Sequence, residues 1–545
     1  MTEPTPRIYQ PSVRYRQVER VRRKHRGCAA LILAPLVIVA AVVYCFWTTR
    51  DAYPVARLIP RDQKFRVFAG DLLNKRGKMA ASQVWQALPE SWGLETLTKQ
   101  LNQDLGLPEW VLNNLVGPVC YISGNDLYRF SDVLVVTKMR RIGCLVERLH
   151  WVGDAIQRDW AGGLDLRRIN DLDVYYAVRG RALVLSSSRE ALVRALTLRE
   201  EDALGPEALA RAVEAFGTED LHGTITFGKA TAEEPSGSEL ASVWSGVSEV
   251  LASISFAVRV ESTEMCVKCR AVLKPAWNER FAKLLADVHP QELSSPPEGM
   301  LGVSADFGKP IQDVWTEMGA LFEAPASWKQ VWNEWTQPSD KGDDAAAALA
   351  KFITFVMGSV GPGGRLSWCG VDLNEMIPVP ELVATFDARP DDIATLFASL
   401  PSPPPGAKPW DPFARYDAEK KRVYLPMPGG RSIEPTAALY DGKLLVSTSG
   451  NVADRLLAEP LEERTLDRRG NLYVTINPHA SLRAVHDVAA LLAENGLLED
   501  YTPASLDETL APWLTRTQRL QSVSVIVSHE AGELTGEFTL VCAPQ

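Results

Sequence analysis

Catalytic signatures are missing from this sequence. It has no H-E-x-x-H, no G-x-S-x-G elbow, no S-x-x-K set and no phosphate-cradling G-x-x-x-x-G-K-[ST] loop, so the common zinc, serine and nucleotide chemistries lack their usual local frame. Histidine is scarce, with seven in 545 residues, and none falls in a ligand cluster. No Asn begins an N-x-[ST] sequon, so nothing marks a glycosylated ectodomain. Basic charge is in deficit over most of the chain. Residues 1–27 hold eight Arg or Lys against Glu3 and Glu19, a surplus of six, which leaves the remaining chain at −16 within a formal total of −10. An acidic body suits nucleic acid poorly, because that binding draws on phosphate neutralisation by Lys and Arg.

The length exceeds what one hydrophobic core usually supports, and the apolar and charged fractions are those of a globular protein. Residues 28–47 form an uncharged run from Cys28 to Trp47. At about 1.5 Å per residue it matches a hydrocarbon thickness of ~30 Å, and Tyr44, Phe46 and Trp47 stand where an interfacial aromatic belt belongs. The run is too long for a cleavable signal, and its bulky end replaces an A-x-A site. Arg20, Arg22, Arg23, Lys24 and Arg26 precede it while Arg50 alone follows closely. The charge step therefore predicts a basic cytoplasmic tail over 1–27, one transmembrane helix over 28–47, a linker over 48–57 and a periplasmic body, a single-pass protein of a bacterial inner membrane. The lipid bilayer is the partner this implies for residues 28–47.

The body reads as duplicated. Tyr176-Ala-Val-Arg-Gly-Arg-Ala-Leu-Val-Leu-Ser-Ser-Ser188 and the helix after it correspond to Ala437-Ala-Leu-Tyr-Asp-Gly-Lys-Leu-Leu-Val-Ser-Thr-Ser449 and its helix. Leu134-Val-Val-Thr137 pairs with Leu382-Val-Ala-Thr385, Gly223-Thr-Ile-Thr-Phe227 with Asn471-Leu-Tyr-Val-Thr475, and Ile254–Glu261 with Val523–Glu530. The common order predicts two repeats, 58–293 and 299–545, joined by the Pro- and Gly-rich linker 294–298. Hairpins with helices inserted between them predict an α+β fold, mainly antiparallel sheet with helices on one face of each repeat.

Four features invite a functional reading. Cys266-Val-Lys-Cys269 has redox-pair spacing, but in a strand side chains three apart point to opposite faces, so the pair is structural. His479 and His486 are seven apart, two turns on one helix, without visible carboxylate partners. Gly358-Ser-Val-Gly-Pro-Gly-Gly364 lacks the Lys and Ser/Thr of a phosphate loop and reads as a plain loop. Trp328, Trp332 and Trp335 fall at i, i+4 and i+7, one stripe of a helix; they are candidate partner-binding residues, with a core-facing stripe as the plainer reading. No catalytic residue, metal or cofactor is implied.

A basic tail, one span and a duplicated body with Leu185-Ser-Ser-Ser188 and Val446-Ser-Thr-Ser449 resemble the uncharacterised single-span bacterial envelope proteins known only as domains of unknown function. That resemblance implies an envelope setting and transfers no functional residue. The first functional expectation is a non-catalytic protein whose body binds other envelope proteins. A carrier or receptor for an apolar ligand held between a sheet and its helices is the alternative, and a cell-wall hydrolase with an unrecognised site comes third.

Overall fold

The structure is a computed structural model. It describes residues 39–87, 109–227, 247–314 and 360–543 apart from short internal breaks; residues 1–38, 88–108, 228–246 and 315–359 lie outside the description. The described chain forms two compact units, one of Met1–Arg61, Leu101–Cys120 and Ser131–Leu209, the other of Asp62–Gln100, Tyr121–Phe130 and Ala210–Gln545.

In the first unit five strands lie in the order Ile156–Ala161, Leu164–Ile169, Val174–Arg179, Ala182–Ser186, Leu134–Lys138, every pair antiparallel. Leu183 and Val184 are neighbours on one strand and point to opposite faces, yet both are buried. The Leu183 face packs with Met139, Cys144, Ile169 and Tyr176 under helix Arg141–Arg148.

In the second unit fourteen described strands follow one another in a single ladder, again all antiparallel: Phe65–Gly70, Leu221–Thr226, Leu251–Val260, Glu264–Leu273, Glu533–Cys542, Leu520–Glu530, Leu472–Ile476, Leu301–Asp306, Val360–Asp372, Val379–Ala388, Lys443–Ser447, Thr436–Tyr440, Arg422–Tyr424 and Arg415–Asp417, while Gln291–Ser294 pairs with Thr465–Gly470 in a separate two-stranded sheet. Its first four strands recur in reverse spatial order in the next four, meeting where Lys268 faces Glu537. Its last five repeat the strand order of the first unit.

The two Ser-rich blocks have the same local cause. Ser186 accepts the amide of Ser188 at 3.1 Å, and Ser188 caps helix Arg189–Leu196 by accepting the Ala191 amide at 3.2 Å. Ser447 accepts the amide of Ser449 at 3.1 Å, and Ser449 caps helix Gly450–Ala458 through the Val452 amide at 3.4 Å. Each block is a turn and an N-cap.

Several expectations are corrected. The α+β class with helices on one face gives way to a fold dominated by antiparallel strand. Most of its helices are short connections of eight to ten residues, as in Arg141–Arg148, Arg189–Leu196 and Pro390–Ser399. They also lie on both faces. Leu444 packs with Ile393 and Phe397 of helix Pro390–Ser399, while Leu445 packs with Val452, Ala453 and Leu456 of helix Gly450–Ala458. The Gly-rich segment expected as a loop is strand from Val360 onward, with the register broken between Val360 and Gly364. Gly361 and Gly363 let Asp387 approach where a Cβ would crowd it, so these glycines mark a bulge.

The transmembrane helix over 28–47 and the inner-membrane placement built on it are withdrawn. Crossing takes a continuous apolar helix of about 20 residues. Among the described residues no helix is long and apolar enough to cross a membrane; of the expected span, residues 39–40 and 43–47 are described as helical. An apolar run shows capacity to cross and nothing more. The tail over 1–27 lies outside the described residues.

Candidate functional site

The alternation of the four central strands sorts chemistry by face. Ile254, Phe256 and Val258 align with Met265, Val267, Cys269 and Ala271, then with Phe538 and Leu540, then with Val523, Val525 and Val527. None is charged. The opposite face carries Ser255, Lys268, Arg270, Thr535 and Glu537. On the apolar side Phe256 lies over Gly223, where any Cβ would collide with its ring.

Burial distinguishes this apolar face from the rest of the sheet. At the far end Leu444, Leu445, Ile393, Phe397, Val452 and Ala453 are at most 2% exposed, as in a closed core. On the central face Leu540 is buried beneath Val84 of helix Gln83–Ala87. Ile254, Phe256, Val258, Met265, Val267, Cys269, Ala271, Phe538, Val523, Val525 and Val527 are only half-buried.

A helical hairpin packed against one of these strands is equally open. Helix Pro478–Glu494 packs against strand Leu520–Glu530 and reaches Val360–Asp372. Asn477 caps it by accepting the Ala480 amide at 3.0 Å, Pro478 fits its first turn, and Ser481 donates to the Met300 carbonyl at 3.0 Å. Despite seventeen largely apolar residues it has no buried one. A second helix, Pro503–Thr517, folds back on it. That helix starts from a capping box between Thr502 and Ser505 and buries Leu506 alone among its residues whose burial is described. Val485, Leu497, Tyr501 and Trp513 on this hairpin are each at least half exposed.

His486 joins the two helices. Its Nε2 lies 2.7 Å from Asp507 Oδ1 and its Nδ1 lies 3.1 Å from Asp487 Oδ1. Its pKa is raised by the Asp487 and Asp507 hydrogen bonds, which favour the charged ring. His479 faces the same helix, with Nδ1 3.5 Å from Thr517 Oγ1. The two histidines do share a face. Among the described residues no group of three or more metal-ligating side chains is placed to hold an ion.

The buried charges elsewhere in this unit are held by partners. Burial pushes the Asp220 carboxyl up, but the Lys75 ammonium at 2.8 Å and the Val260 amide at 2.7 Å outweigh it and hold its pKa below the ordinary value. Arg422, 8% exposed at its side chain, donates to Asp454 at 2.6 Å and pairs with Asp417 at 3.4 Å; Arg431 also binds Asp454 and lies 3.8 Å from Glu434. Burial raises the Glu434 pKa against the pull of those arginines. In the first unit Glu147 binds Arg167. Each carboxylate is engaged by a guanidinium or ammonium, an arrangement suited to fixing strands and not to exchanging protons with a substrate.

Cys266 and Cys269 are unbonded and occupy opposite faces of their strand, opposite Thr539 and Gly536. Cys266 donates to Glu537 Oε1 at 3.2 Å, and Arg468 also binds Glu537. Trp328, Trp332 and Trp335 lie outside the described residues. Sequence reasoning missed the open apolar layer, since alternation marks an apolar face without showing how well it is covered.

No family model matches the chain, and no curated protein matches it. Among solved structures, crystal forms I, III and IV of TP0453 match with TM-scores of 0.25 at 7–8% identity, covering 44–45% of this chain and 88–90% of that one. A likeness of that size carries no argument about fold or function.

Proposed function

We propose that this chain works by binding and not by catalysis, and that it holds an apolar ligand between the central strands and the Pro478–Thr517 hairpin. The observation behind this is half-burial both of the apolar strand face and of the hairpin that packs against strand Leu520–Glu530, beside end clusters of the same unit that close to 2% exposure or less. Uncharged walls of Val, Ile, Phe and Leu recognise long apolar groups by area alone, at about 25 cal/mol per Å² removed from water. Exposed Val485, Leu497, Tyr501 and Trp513 support a second reading, an apolar face for a protein partner.

Titrating the intact chain with a fluorescent long-chain fatty acid tests the first reading. Saturable uptake near one probe per chain is expected, weakened at least about tenfold by Val525→Asp, which sets a carboxylate in the layer. Absence of saturable uptake overturns it. Discrete photocrosslinks from position 513 to one protein, without uptake of the probe, turn the assignment to the second reading.

A further inference from the structure

We propose that His486 is a protonation-operated clasp: its imidazolium holds helix Pro503–Thr517 against helix Pro478–Glu494, and loss of the ring proton loosens the hairpin. Geometry carries the argument. A neutral imidazole has one N–H and one lone pair, whereas both ring nitrogens here meet carboxylate oxygens, at 2.7 Å and 3.1 Å. Only the doubly protonated ring satisfies both. A neutral ring would turn a lone pair on one aspartate, so deprotonation replaces an attraction with a repulsion.

The hairpin is built to respond. The first helix buries no side chain, and the second buries Leu506 alone among its residues of described burial. Pro512 also removes one backbone hydrogen bond within the second helix. Between helices that fully bury so few side chains, the doubly engaged imidazolium is a specific tie. The groups on the ring are Asp487 from its own helix and Asp507 from the facing one; Asp487 also lies 4.0 Å from Arg483. The strands packed against the first helix carry Arg365, Cys369, Asp372, His529 and Glu530, and the ring's hydrogen bonds go to the two aspartates.

The direction follows from linkage. A pKa raised in the folded chain means that the clasp is fully formed below the ordinary value of 6.5 and is lost as pH rises through the raised one. Neither step depends on the layer holding a ligand.

Hydrogen exchange of the full chain, corrected for intrinsic rates and followed over residues 478–517 from about pH 6 to about pH 9, tests the clasp. Protection is expected to fall about threefold to tenfold in the wild type as the ring deprotonates. His486→Gln should be weakly protected at every pH, and His486→Arg, which keeps the charge, protected at every pH. Nitrogen NMR of the wild-type ring should show both nitrogens protonated at about pH 6. A flat wild-type profile, an unchanged profile in His486→Gln, or a neutral ring at that pH overturns the proposal.

Discussion

The far end of the large unit and its middle are made of similar strands and differ in how they are covered. At the end, helix Pro390–Ser399 closes one face over Leu444 and helix Gly450–Ala458 closes the other over Leu445, so adjacent residues of one strand sit in two separate cores. In the middle, strands of ten and eleven residues carry an apolar face that helix Gln83–Ala87 covers at Leu540, and helix Pro478–Glu494 packs against one of them without burying a side chain fully. The difference lies in the helices. Gly450–Ala458 is capped against its own strand, Lys443–Ser447, by a turn of three residues, which leaves it no choice but to lie on the sheet. Pro478–Glu494 is followed by a second helix instead, and the pair satisfies part of its apolar surface within itself. Stability is thus concentrated at the end of the sheet and conformational freedom in its middle.

The largest expected effect is at the closed end. Leu444→Asp buries a carboxylate with no partner among Ile393, Phe397, Val423 and Ala437, and should cost about 3–5 kcal/mol. Chemical denaturation of the intact chain, followed by circular dichroism, reads this directly. A loss below about 1 kcal/mol would mean that this core opens as easily as the middle.

Part of this architecture is legible in the sequence. The Ser186–Ser188 and Ser447–Ser449 blocks announce helix caps because a hydroxyl three residues before a free amide is a local device, and the caps are where the spacing puts them. Aligning the two repeats matches Leu183 and Val184 with Leu444 and Leu445, which predicts burial at equivalent positions, and all four are buried. Cys269 and Phe538, matched in the same way, are only half-buried. Alternation reports which residues share a face, while burial depends on what another segment lays over it. For the same reason His486 reads as one face of a helix, and its partner Asp507, 21 residues on, is invisible until the hairpin folds. Helices on both faces were illegible too, since the apolar pattern of a crossover helix is the same whichever way it crosses.

A middle-sized effect is expected where the sheet buries a single charge. Asp220 accepts the Val260 amide and pairs with Lys75, which is 27% exposed. Asp220→Asn keeps an acceptor for the amide and removes the ion pair, so about 1–2 kcal/mol should be lost at neutral pH. Because the folded-state pKa is depressed, that contribution is present above the ordinary carboxylate range and vanishes as pH falls through the lowered value. Wild type and variant should therefore converge in acid. Curves that stay parallel down to about pH 2 would assign the acid limb to other carboxylates.

The smallest effect should come from the same kind of substitution as the largest. Val525→Asp introduces a carboxylate on the apolar face of strand Leu520–Glu530, between Phe538 on one neighbour and Val474 on the other. Were this layer closed like the Leu444 core, the charge would be desolvated and the cost again about 3–5 kcal/mol. Val525 is half-buried, so water reaches it, and a carboxylate there keeps much of its hydration. The expected cost is below about 1.5 kcal/mol, mainly the lost apolar contact of valine. The ratio between Leu444→Asp and Val525→Asp then measures how open the middle is, independently of any ligand. Equal costs would show a closed layer with no room for an apolar occupant, and the binding site proposed there would fall with it.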